Sequence, residues 1–453
     1  LPKLASRLSL PEAVGLSLSV ISPTVTAAFN ITLVVQATGQ AAPLTFAIGA
    51  IAMVLVALSF MAFTRRVSHA GSAYAYITHT FGSRWGFIAG WTLVLTYLGF
   101  ATGFAALVGD FIGAAFKGFG IDIGGGWLVI GAGSMLLSWW LAHRDMRLSG
   151  RLMLALEVVA VLGIIYLCAN ILRQVHPGLT RTVSTFRPSA SFGGWSGLAV
   201  GMVFSILCYS GFEGAATLGE ETHNPRRNIP IALIGTVLGS GIFFIFVAFC
   251  EVIGFGQNGM KELASSQAPL NDLALRYATP RLAIALDLAA ATSCFSGVLG
   301  CLAAAARILF ALGRAGLSPA LAEVHPVHGT PARAVAVTAL LILLPFLCWA
   351  PFVGAGNFYS YTSTTGVLAL ILVYIGVGGA ELVEAWREQR LLWSAVSVLA
   401  PTLLLWVLFR SVYPVPEFPN NLWPYLAIAW MLGSLTLIKL RPAVKHAQLT
   451  DYV

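Results

Sequence analysis

Glu213 lies within Ser210-Gly211-Phe212-Glu213-Gly214, a carboxylate between two glycines in an otherwise apolar run. Glu157 occupies the middle of another apolar run, and Asp110, Glu251 and Asp287 lie nearer the ends of three more. An unpaired charge in hydrocarbon costs several kcal/mol, so each of these acids needs a reason. Two uses are open to them: carrying a proton, or bonding to backbone groups freed where a helix is interrupted. Glu213, flanked by glycines, reads as a structural brace with ion coupling as its alternative. Glu157 is the candidate for proton coupling, against a structural pair with a neighbouring span. The other three acids read as interfacial.

Neutral polar groups are placed as pointedly. Ser22-Pro23-Thr24-Val25-Thr26 sets a proline and three hydroxyls in the middle of the first apolar run. Pro23 has no N–H and frees the carbonyl of Ser19, four residues earlier. A kink solvated by hydroxyls is one reading, and a binding-site break is the other. The second interruption, at Gly211, favours the break. A broken helix presents N–H groups to an anion at one half-helix end and carbonyls to a cation at the other. A site with both suits a zwitterion such as an amino acid. No nucleophile–base pair and no His/Cys cluster with metal-ligand spacing occurs, so no catalytic residue, metal or cofactor is expected and an enzyme is disfavoured. His325 and His328 read as solvated loop residues, and His143-Arg144-Asp145 as a topology signal.

The elements that position these residues are membrane helices. The chain has 453 residues, 58% hydrophobic and 10% charged, against about 25% charged in a soluble domain. A crossing takes roughly 20 apolar residues. About twelve such runs occur, at 12–39, 42–63, 86–116, 123–143, 149–172, 195–221, 229–256, 282–313, 332–351, 355–379, 391–411 and 421–440. The fold class is therefore an all-α membrane protein. Its net charge of +8 lies in short loops and marks topology rather than nucleic-acid binding. The basic residues concentrate in alternate loops, at Arg65, Arg66, Arg226, Arg227, Arg314 and Arg387 among others, which places both termini in the cytoplasm. The segment 64–86 has Tyr74, Ile77 and Phe81 three to four residues apart. It reads as an amphipathic helix along the cytoplasmic face. The long outer segments are 173–194 and 257–280. The second contains a short helix near 270–275 and is the better candidate for a gate. The six cysteines read as small packing residues.

The two breaks fall in span one and span six, five spans apart. That is the sign of an inverted repeat, 1–172 holding spans one to five and 195–380 holding spans six to ten. Residues 391–453 then carry two peripheral spans and a tail. Substrate at the breaks, near the membrane midplane, follows, with the lipid bilayer as the other partner.

Three segments give the chain a likeness to a known family: Gly211-Phe212-Glu213 with Glu220-Glu221-Thr222-His223-Asn224-Pro225-Arg226-Arg227-Asn228-Ile229-Pro230; Ala70-Gly71-Ser72-Ala73-Tyr74-Ala75-Tyr76 on to Gly90-Trp91; and Arg307 to Pro319. In these the chain resembles the amino acid–polyamine–organocation superfamily of permeases. The resemblance implies a five-plus-five inverted repeat with two extra helices. It implies alternating access of a small molecule, with a substrate carboxylate at Pro23, Thr24 and Val25, inside a candidate binding stretch that runs from Ser22 to Thr26. Carbonyls for the ammonium come from Leu207, Cys208 and Ser210, with Gly211 at the break and Phe212 as a gate. Where the family has Gly-Ser/Thr-Gly, this chain has Pro23-Thr24-Val25, which admits a smaller or non-α-amino substrate. Some relatives place a coupling lysine at the position of Ala160, one turn from Glu157. Thr292 and Ser293 resemble a sodium-coordinating hydroxyl pair. Proton coupling, sodium coupling and exchange all stay open. The expected function is a secondary amino acid transporter, with a polyamine or amine permease as the alternative. It is expected as a monomer or dimer in the inner (plasma) membrane.

Overall fold

The computed structural model describes residues 8–65, 71–144, 146–326, 329–442 and 444. The expectations placed on Arg66, Asp145 and His328 concern residues outside that set. The described chain is helical from end to end, with no strand beyond a single parallel bridge between Leu8 and Thr222.

Among the described residues, eleven stretches are long and apolar enough to cross a membrane. The first, Leu10–Thr64, has 55 residues, which at 1.5 Å per residue is about 80 Å, twice what a bilayer takes. It is two crossings, reversed at Gly39, whose φ of 53° only glycine adopts without strain. The span count from sequence and the structure therefore agree. Spans three (Ser83–Gly118) and eight (Pro280–Arg314) have 36 and 35 residues, about 54 Å each. Their apolar windows are 89% and 94% buried, so they form the tilted centre of the bundle. Phe104 packs across the gap left by Gly297 to join them. Spans eleven and twelve are mostly lipid-facing, and spans four, five and nine equally so.

Three expectations change. The segment 64–86 forms a shorter helix, Ala73–Phe81, and it does not lie along the surface. Tyr74, Tyr76 and Ile77 are all buried, with Tyr76 stacked on Phe63, while Phe81 points outward. Burial on several sides, with Tyr76 as well as Tyr74 and Ile77 inside, marks a helix inserted among spans two, three and ten. Span seven begins at Pro225, not Pro230. Asn224 takes a left-handed φ of 47° before it, and Pro230 sits inside the helix. Proline fits a first helical position because no intrahelical partner for its missing N–H is needed there. Finally, Glu251 and Asp287, which lie near the ends of spans seven and eight, are not exposed there. Both are buried, because the outer segment 257–280 folds down as two short helices, Met260–Ser265 and Pro269–Tyr277. Asn271 donates to Asp287, and Gln36 donates to the Ala264 carbonyl at 2.9 Å, fastening that cover to spans eight and one.

Candidate functional site

Span one stops at Ile21. Ser22 turns to φ 47°, ψ 69°, and its N–H donates to the Leu18 carbonyl at 2.8 Å, closing the first piece. Pro23 restarts the helix, which continues through a π-helical turn at Thr26–Asn30 to Thr38. The Ser19 carbonyl expected to be free is taken, since the Ser22 hydroxyl donates to it at 2.7 Å. A serine next to the proline thus answers the vacancy the proline creates.

The amide that the break does offer has a partner from span five. Thr24 N–H and Thr24 Oγ1 both donate to Glu157 Oε1, at 2.7 and 2.8 Å. The Ser293 side chain stands beside the same carboxyl group, and the Ser22 hydroxyl reaches the Ser293 carbonyl at 3.4 Å. Glu157, Ser22, Thr24 and Ser293 therefore form one buried cluster of spans one, five and eight. Thr292 is not in it. That hydroxyl faces outward and donates to the Ala289 carbonyl in its own helix. Adjacent positions on a helix point about 100° apart, and here only Ser293 of the two is turned toward the cluster.

In span six the regular helix ends at Tyr209. Ser210 N–H turns back to the Ile206 and Leu207 carbonyls at 2.9 and 3.1 Å, and Gly211 takes φ 111°. The Leu207 carbonyl is thereby used, contrary to expectation. Among the described residues no backbone amide donates to the carbonyl of Ser210, which lies between the two helical pieces. A 3-10 helix over Phe212–Leu218 completes the span. Glu213 braces this break, accepting from Tyr97 Oη at 2.9 Å, Tyr374 Oη at 2.7 Å and Gly211 N–H at 3.0 Å. Phe212 does not face the cluster as a gate. Its ring is fully buried between Phe60 and Tyr374, with centroids 5.5 and 5.7 Å away.

The breaks lie against each other. A Cβ on Gly211 would sit 2.3 Å from Val20 Cγ1 and 3.0 Å from the Ile21 nitrogen. Ser17 joins the two further, its hydroxyl donating to the Phe212 carbonyl at 2.7 Å and accepting from Ala215 N–H at 3.1 Å. On the other side of span one, Thr26 and Asn30 face Cys208, and Tyr359 Oη of span ten donates to Asn30 Oδ1 at 2.8 Å. Asn30, Tyr359 and Ser363 belong to this junction and were not among the expected site residues. Their signal was the polarity of spans one and ten. Beside Pro23 and Glu157 lies a cavity of about 450 Å³, walled by apolar residues of spans one, five and seven and open past the lipid-facing Leu162 and Ile231.

A helical bundle with two interrupted spans packed break to break, each buried end polar, is the architecture of a membrane permease. The chain belongs to the amino acid permease family, whose model matches residues 8–435. Among curated proteins it is 27% identical to the branched-chain amino acid permease BcaP of Lactococcus lactis subsp. cremoris over 366 residues, 74% of this chain and 75% of that protein. It is 26% identical to the low-affinity putrescine importer PlaP of Escherichia coli over 313 residues, 67% of this chain and 66% of that protein. It is 24% identical to the methylthioribose transporter of Bacillus subtilis over 433 residues, 90% and 88% of the two chains. The protein is thus a multi-pass membrane permease of amino acids or amines, and its family and relatives are transporters.

Proposed function

We propose that the protein is a proton-coupled secondary transporter of a small amino compound, working by alternating access rather than as an enzyme. Spans one to five (1–172) and six to ten (195–380) act as the two inverted repeats, with 391–453 peripheral. The cargo binds where Ser22–Thr26 meets Cys208–Gly211, and both termini face the cytoplasm of a cell whose inner membrane holds the chain. The relatives carry an amino acid, a diamine and a thiosugar by name, so cargo class varies across this fold.

The observation that carries the coupling is the bond from Thr24 to Glu157. A carboxyl group on span five holds the movable half of span one, so gain or loss of its proton alters how tightly the break is held. Sodium coupling has less support, because only Ser293 of the hydroxyl pair reaches the cluster.

Uptake into proteoliposomes tests this reading. An inward proton gradient is expected to drive accumulation, and Glu157→Gln to leave exchange intact while abolishing the response to the gradient. Uptake that needs sodium, or a Glu157→Gln protein that still follows the proton gradient, contradicts it.

A further inference from the structure

We infer that the cargo is a cationic amine without a carboxylate, because Glu157 already fills the anion seat at the span-one break. This rests on the transport reading above and narrows its substrate.

The donors of Thr24, the first amide of the restarted helix, are already committed. Pro23 has no N–H. Thr24 N–H and hydroxyl are both given to Glu157 Oε1, and Thr26 N–H goes to the Ser22 carbonyl at 3.1 Å. A substrate carboxylate seated at Thr24 would have to displace the Glu157 carboxyl group from both of these donors, and would meet a like charge whenever Glu157 is ionised. The buried arginines of span eight do not offset two anions there. Arg307 and Arg314 are held by Glu221 and Glu220 at the far end of that span.

The opposite end of the junction holds several groups able to accept a hydrogen bond. The Ser210 carbonyl receives no backbone amide among the described residues. The Thr26 and Ser363 hydroxyls, both fully buried, have no hydrogen-bond partner among them either. Tyr359 has already given its proton to Asn30. An ammonium group is donor only, and this is the set of partners it requires. Glu157 thus occupies, at Thr24, the place that the carboxylate of an amino acid would take.

The test is uptake by the full-length protein in proteoliposomes, using pairs that differ only by the carboxylate: cadaverine against lysine, and isoamylamine against leucine. The amine of at least one pair is expected to enter saturably, at least tenfold faster than its amino acid. Glu157→Ala, which frees Thr24 N–H, is expected to lower that preference at least tenfold. Preference for the amino acid in both pairs overturns the inference and leaves the transport reading standing, as does an unchanged preference in Glu157→Ala. Flux of no member of either pair overturns the transport reading and this inference with it. Should Glu157→Ala fail to fold, thermal unfolding of the unaltered protein makes the same distinction. The amine is expected to raise the midpoint where the amino acid does not, and the reverse order overturns the inference.

Discussion

Glu213 and Glu157 share a side chain and both are buried, yet their surroundings set them to different work. Glu213 holds two tyrosine hydroxyls and a glycine amide from spans three, ten and six. Removing it strands those donors, each worth about 1–3 kcal/mol when left unsatisfied. Glu213→Ala should therefore cost about 3 kcal/mol or more, seen as a large drop in the unfolding midpoint in detergent, with Glu213→Gln milder because an acceptor remains. A Glu213→Ala protein of unchanged stability that has lost proton dependence would reverse the roles of the two acids. The brace is legible in the sequence because glycines on both sides of a buried carboxylate announce amides in need of an acceptor. The partner of Glu157 is not, since nothing in one sequence says that span five lies over the break in span one. Glu251 shows the same kind of limit. It lies near a helix end, but a folded outer segment buries it, with neither oxygen bonded among the described residues.

At the level of helices, the two breaks depend on close approach. Gly211 combines a φ of 111° with a Val20 methyl where its Cβ would be. Gly211→Ala adds roughly 1–3 kcal/mol of backbone strain to that overlap, and should reduce uptake at least tenfold. Val20→Ala in the same chain relieves the overlap alone and should recover only part of the rate. A Gly211→Ala protein with ordinary uptake would show that the breaks need not touch. The existence and order of the spans are readable from apolar run length, and the breaks from proline and paired glycines. The ends of elements are less so. Pro225 and Pro230 lie five residues apart, and only the left-handed turn at Asn224 decides which of them starts span seven. The helix Ala73–Phe81 shows the limit of periodicity, because an apolar face at helical spacing does not reveal that the other faces are covered too.

Across the bundle as a unit, one end of the junction is closed by groups far from it in sequence. Arg307 forks onto Glu221 at 2.6 and 3.0 Å, Arg314 pairs with Glu220, and Leu8 exchanges backbone bonds with Glu221 and His223. These ties fix the end of span eight and the chain before span one to the loop after span six. They are the contacts that a rocking motion would have to break. Cargo seated between the two breaks must also shield Cys208, a native reporter of that space. Cys208 is fully buried, faces Thr26 and Asn30, and lies at the end of the regular helix of span six. The decisive experiment is alkylation of a variant retaining Cys208 as its only cysteine, in proteoliposomes, with and without the transported compound. Near its half-saturating concentration that compound should begin to slow labelling, reaching at least tenfold protection at saturation. Labelling that saturating cargo leaves unchanged would mean that the cargo does not bind between the breaks.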